Sequence, residues 1–137
     1  MTPRLAQREI ALAGVALLAA LVSLAVVNGR SKSAASLPKP AGSWHSALAG
    51  VRPAGQFGGR TACGVVLRPA TLGVSHPVLP CGAKIYVAFD GRHVLTQVID
   101  RGPSVPGREF DLTAPLADKI GLAGIQRVRW AYASAPQ

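Results

Sequence analysis

The apolar residues of this chain follow two patterns. Between Ile10 and Val27, 18 consecutive positions, IALAGVALLAALVSLAVV, carry no charge, with Arg4 and Arg8 before them and Arg30 and Lys32 after. At ~1.5 Å per residue, a helix of that length rises about 27 Å, enough to cross the hydrocarbon core of a bilayer. Behind the basic residues 1–9, residues 10–27 therefore read as an uncleaved signal anchor or a signal peptide, Ser33-Ala34-Ala35 offering a weak cleavage site. Both readings place the remainder outside the cytoplasm. The flanking charges are too evenly divided to set an orientation. Residues 28–41, NGRSKSAASLPKPA, have no apolar period and carry three cations, the composition of a tether.

From residue 42 to about 133 the period changes to two. Lys84 to Phe89, KIYVAF, puts Ile85, Val87 and Phe89 on one face. His93 to Asp100, HVLTQVID, puts Val94, Thr96 and Val98 on one face and Leu95, Gln97 and Ile99 on the other. Asp90-Gly91 between these runs is a two-residue turn signal, so the pair reads as a hairpin. Arg127 to Ala133, RVRWAYA, sets Val128, Trp130 and Tyr132 against two arginines, a half-buried strand. Val65 to Leu67 and Val78 to Leu79 are shorter extended candidates. Thr113 as N-cap, Ala114-Pro115 in the first turn and Gly121 past the last turn predict one short helix. Short strands with one or two short helices in roughly ninety residues predict a small, mainly β barrel, with Trp44 near one end.

Composition narrows this picture. Gly and Pro number 15 and 11, and charged residues make up 15%, which excludes a coiled coil and, without a glycine period, a collagen-like chain. From Leu37 onward eleven Lys and Arg face five acids, a balance of +6. The arginines are scattered and no helix bears a basic stripe, so the charge favours an anionic polymer or membrane surface over nucleic acid. Only two cysteines occur, Cys63 and Cys81. In an exported domain they read as one disulfide, whose 18-residue loop is worth about 3 kcal/mol. A metal would need further ligands, and a catalytic thiol would need a cationic neighbour.

The polar residues that interrupt the pattern are candidates for chemistry. Asp100-Arg101-Gly102-Pro103 ends the second hairpin strand, and Arg108-Glu109-Phe110-Asp111-Leu112 leads into the helix. Asp100 also suits turn chemistry, accepting backbone N–H groups and pairing with Arg101. Asp111 suits a salt bridge or a helix N-terminal charge. His76 lies between the cysteines, where a histidine commonly serves as a hydrogen-bonded turn residue. No serine elbow, Cys–His pair or HExxH spacing occurs, and no metal or cofactor is implied.

Three stretches together carry a resemblance: Ser75-His76-Pro77-Val78-Leu79-Pro80-Cys81-Gly82, Ile99-Asp100-Arg101-Gly102-Pro103 and Arg108-Glu109-Phe110-Asp111-Leu112-Thr113. They resemble the six-stranded double-psi β-barrel of rare lipoprotein A-like proteins, to which expansins and barwin-type proteins are more distantly related. Gly42-Ser43-Trp44 is similar to that family's Ala-Ser-Trp-Tyr-Gly opening, and Thr61-Ala62-Cys63-Gly64 to its Thr-Ala-Asn-Gly. The resemblance implies a monomeric, extracytoplasmic domain acting on peptidoglycan. Its active members are lytic transglycosylases, which leave 1,6-anhydro sugar ends. It implies Asp100 as general acid/base, His76 flanking the cleft, and Arg101, Asp111 and Trp44 in support, with Asp111 beside Asp100 holding Arg101 or the strand end. Such an acid wants a raised pKa, whereas a paired arginine would lower it. The sequence departs from the family at Val65, where active relatives have glutamate, and at His45, where they have tyrosine. It also lacks the lipid-anchor cysteine. A glycan-binding, wall-loosening module without cleavage is the alternative reading, and an interaction or inhibitor domain a third.

Overall fold

The barrel is assembled from strands whose inward positions are mostly small or β-branched. The computed structural model describes residues 37–53, 57–103 and 105–134. The basic residues 1–9, the apolar segment 10–27 and the tether as far as Ser36 lie outside the described residues. The elements are β1 (Pro40–Val51), β2 (Val74–Ser75), β3 (Lys84–Phe89), β4 (Arg92–Asp100), β5 (Phe110–Leu112), α1 (Ala114–Ile120) and β6 (Gln126–Ala133). The sheet closes in the order β1-β5-β2-β4-β3-β6, with β6 returning to β1. The β1/β5 and β2/β4 pairs are parallel and the others antiparallel. This is the mainly β, closed six-stranded barrel that the resemblance implies, with a single short helix among the described residues.

The hairpin forms where the turn signal places it. Asp90 and Gly91 both take positive φ, 47° and 75°, as a tight turn matching the strand twist requires. In β4, Thr96 and Val98 point into the barrel as their period demands, but Ile99 on the opposite face is buried as well, 1% exposed. Gly73 allows this, because a Cβ there would sit 2.5 Å from the Ile99 side chain. In β6, Val128 and Trp130 are buried and Arg127 and Arg129 exposed, while Tyr132 is 40% exposed. Phe110, Leu112, Val74, Ile85 and Val87 complete the core with Leu116 and Ile120 of α1.

Three sequence expectations are corrected. Val65 to Leu67 contributes only an isolated bridge, Arg60 to Val66. Val78-Leu79 is no strand, because both of its N–H groups donate to Nδ1 of His76, at 3.1 and 3.0 Å. Thr113 holds the N-cap position of α1 but its hydroxyl makes no cap bond. It accepts the N–H of Gly73 instead, at 3.2 Å, and so ties the helix start to the approach to β2. Gly121 ends α1 in the left-handed conformation, φ 75°, as expected.

Candidate functional site

Asp100 stands at the end of β4, where three distant segments meet it. Its Oδ1 accepts the backbone N–H of Ala62 at 2.9 Å and that of Arg101 at 2.8 Å. Its Oδ2 accepts Nη1 of Arg52 at 2.5 Å. Arg52 continues β1 by one residue, its own N–H donating to the Leu112 carbonyl at 2.7 Å, and it also reaches Oγ of Ser75 at 3.3 Å. Ser75 pairs across the ladder with Asp100 on one side and Asp111 on the other. A shallow, largely apolar recess lined by Phe57, Leu67, Thr113 and Pro115 adjoins Arg52.

The segment bearing Ala62 is braced from three directions. The Thr61 hydroxyl donates to the Ile99 carbonyl and accepts the Val65 N–H at 3.1 Å, while the Thr61 N–H bonds the Val65 carbonyl at 2.9 Å. Cys63 and Cys81 form the disulfide, their Cα atoms 5.4 Å apart. The bond therefore fixes the loop that aims a backbone donor at the Asp100 carboxylate, in addition to the stability that loop closure supplies.

These contacts decide the charge of Asp100. Burial pushes its pKa up, but the Arg52 hydrogen bond, the Ala62 and Arg101 N–H groups and the Arg52 charge together outweigh it and hold the carboxyl below its usual range. Asp100 is thus an ionised acceptor in this arrangement, not a poised acid. The arginine that neutralises it is Arg52. Arg101 instead donates its guanidinium to the carbonyls of Leu79 (2.6 Å) and His76 (3.3 Å), clamping the turn that follows β2.

His76 is 6% exposed and packs on Phe110, ring centroids 4.7 Å apart. With Nδ1 accepting two N–H groups, the ring is neutral and carries its proton on Nε2. Burial lowers its pKa; Glu109 opposes this and Arg101 adds to it. His76 meets Asp100 through the backbone, its N–H donating to the Asp100 carbonyl at 3.2 Å. Asp111 does not hold Arg101; it pairs with Arg108 at 2.9 Å. Trp44 makes none of the contacts to Asp100 and lines a different groove, with Arg92, Arg127 and Arg129. Val65, at the position where the resemblance has glutamate, is half-buried beside the Thr61 brace. Among the described residues no three His, Cys, Asp or Glu side chains converge on a metal position.

Sequence reasoning missed Arg52, Ser75 and the Ala62 N–H. Arg52 lies 48 residues before its partner in a Gly-Val-Arg-Pro context without local periodicity. Ala62 and Ser75 fell within stretches that carried the family likeness, Thr61-Ala62-Cys63-Gly64 and Ser75 to Gly82, but without a role of their own.

A family model described as lytic transglycolase matches residues 52–130. A Yersinia pestis protein named endolytic peptidoglycan transglycosylase RlpA is 35% identical over 74 residues, 53% of this chain and 21% of that protein. A probable endolytic peptidoglycan transglycosylase RlpA of Aquifex aeolicus is 39% identical over 71 residues, 50% of this chain and 31% of that protein. The chain thus matches less than a third of the length of these relatives. Among solved structures, a Streptomyces papain inhibitor aligns over 96% of its chain and 68% of this one, with a TM-score of 0.46 and 22% identity. The family match begins at Arg52, so Trp44 falls outside it.

Proposed function

The chain belongs to the lytic transglycolase family of double-psi β-barrels, and from that membership we propose that it acts on the glycan strands of peptidoglycan at the Asp100 site, outside the cytoplasmic membrane. In this reading residues 10–27 anchor or export the chain, and the stretch 28–41 tethers the working domain, 42–133, whose first strand reaches back to Pro40. The names of the relatives in Yersinia pestis and Aquifex aeolicus support peptidoglycan as the polymer.

The geometry favours holding the glycan over cutting it. The observation that carries this is the Arg52–Asp100 pair at 2.5 Å, reinforced by two backbone donors on the same carboxylate. An ionised, pre-oriented carboxylate accepts sugar hydroxyls, and the adjoining guanidinium donates to ring or acetamido oxygens. A general acid must instead carry a proton at working pH, which this environment opposes. With Val65 in place of glutamate, the hydrogen-bond partners of the Asp100 carboxylate among the described residues are Arg52, Ala62 and Arg101, a set without a second carboxyl group.

Cleavage is the second reading, and family membership favours it. There a bound strand draws Arg52 away and Asp100, once protonated, gives its proton to the glycosidic oxygen. The C6 hydroxyl oxygen then bonds to C1 as the bond from C1 to the glycosidic oxygen breaks; the departing sugar keeps the donated proton and the C6 hydroxyl proton returns to Asp100, with no water consumed. One experiment separates the two. The full chain, in neutral detergent, is incubated with purified sacculi, and both retention and soluble products are measured for the wild type and Asp100→Asn. Retention without anhydro-ended products, weakened by the substitution, supports binding. Anhydro-ended products abolished by Asp100→Asn support cleavage. Neither retention nor products overturns both.

A further inference from the structure

A second concavity shares no residue with the contacts of Asp100. It encloses about 340 Å³ between the start of β1, the β3–β4 turn and the outer face of β6. Arg92, Arg127 and Arg129 line it, with His93 and Trp44, and Asp90 is the single carboxylate on its wall. The two ion pairs among the described residues use Arg52 and Arg108, so none of the three groove arginines is paired with a carboxylate there. Two of the three are nonetheless held in place. The Arg129 guanidinium carbon lies 5.1 Å from the centroid of the Trp44 ring, a cation–π stack. The Arg92 guanidinium lies against Gly121 at the carbonyl end of α1, where a Cβ would come within 3.1 Å of it. Arg127 and Arg129 alternate onto the same outer face of β6, their stems about 7 Å apart along the strand.

We propose that this groove binds a phosphodiester-linked polyol polymer, with Arg127 and Arg129 meeting successive phosphates and Arg92 closing on the same chain. Three guanidinium-bearing side chains line the groove from two strands, Arg92 from β4 and Arg127 and Arg129 from β6. A phosphodiester chain carries one charge per repeat and two unesterified oxygens on each phosphorus, so each guanidinium fork meets one phosphate and the three are spread along the chain. Single-stranded nucleic acid is disfavoured because its bases need open aromatic faces, and Arg129 lies over the Trp44 ring. A flat bilayer surface is disfavoured because the arginines line a recess. The binding is independent of the Asp100 site.

The test is titration of the full chain, in neutral detergent, with a synthetic poly(glycerol phosphate), over a range of salt. Three contacts predict a log–log salt slope of about −2, by analogy with single-stranded polyanions. The double variant Arg127→Gln/Arg129→Gln reduces the slope to about −1 and weakens binding at least about tenfold, two charge-assisted contacts being lost. Lys119→Gln, which removes an exposed charge from α1, leaves affinity within about twofold. Arg129→Lys keeps the charge but loses the planar fork over Trp44, and it weakens phosphate binding while the circular dichroism spectrum stays that of the wild type. Equal losses in Lys119→Gln and the double variant, or no binding at low salt, overturn the proposal. So does equal or tighter binding to polyglutamate, to oligodeoxythymidylate or to vesicles containing phosphatidylglycerol.

Discussion

Replacing Arg52 with glutamine leaves the Asp100 carboxylate in place but removes its charged partner. The carboxylate keeps the N–H groups of Ala62 and Arg101, while burial, the largest influence on its pKa, becomes harder to offset. A hydrogen bond to a charged group contributes about 1.5–3 kcal/mol. The two side chains retain 22% and 14% exposure, so solvent screening places this pair near the lower end, ~1.5 kcal/mol. For a folded unit of about a hundred residues that corresponds to a fall in Tm of about 6–12 °C at neutral pH. The pH dependence is the sharper signature. In the wild type the folded pKa of Asp100 lies below its ordinary 3.8, so its stabilising contribution is present above that value and is lost as pH falls through the folded pKa. In Arg52→Gln the folded pKa moves up, and the carboxyl takes up its proton earlier during acidification. The stability gap between the two proteins is therefore widest above pH ~4 and narrows below it. Urea unfolding at a series of pH values, with carboxyl carbon NMR to follow Asp100, measures both quantities. A constant gap from neutral pH to the acid limit, with an unmoved Asp100 titration, refutes the role given to Arg52.

Three further substitutions test separate parts of the fold. His76 has a folded pKa below its ordinary 6.5, so the unfolded chain takes up the proton first; Tm should fall as pH drops below that value, and His76→Gln, less stable overall, should lose this step. Gly73→Ala drives a Cβ into Ile99 and should cost about 1–3 kcal/mol by denaturant unfolding, with Ile99→Ala in the same chain recovering part of the loss. Cys63→Ser with Cys81→Ser should destabilise the barrel by about 3 kcal/mol and, by loosening the loop that bears Ala62, raise the Asp100 pKa in the same NMR titration.

What could be read in advance follows from the range over which each signal acts. Alternation and an Asp-Gly turn are local, so β3, β4 and β6 were legible within a few residues of their bounds. The helix was legible because proline and glycine mark its ends. β2, only Val74–Ser75, and β5, only Phe110–Leu112, are too short for any period to show. Their pairing is imposed by neighbours from other parts of the chain. β1 escaped notice because its Ala, Gly and Ser residues lack the apolar bulk that marks a strand. It begins at Pro40, two residues inside the stretch that reads as tether. Of the candidate site, Asp100 and the cysteines stood out through their motifs. The Arg52 partnership joins residues 48 apart and leaves no trace in local composition, so Arg101, the adjacent arginine, drew the role that Arg52 fills.

The seam between β1 and β6 also governs how the barrel responds to force. Pro40 pairs with Ala133, and Lys39 exchanges hydrogen bonds with Ser134, so the chain enters and leaves the barrel side by side. Pulling the two ends apart opens that antiparallel seam one rung at a time, the weak direction of any ladder. A pull between the entry point and Arg52 is different. It runs along the whole of β1, and the rungs to β5 and β6 resist sliding together. Under the proposed function, with the domain held from its amino-terminal side and its Asp100 end gripping a taut polymer, the load would fall in this second, stronger direction.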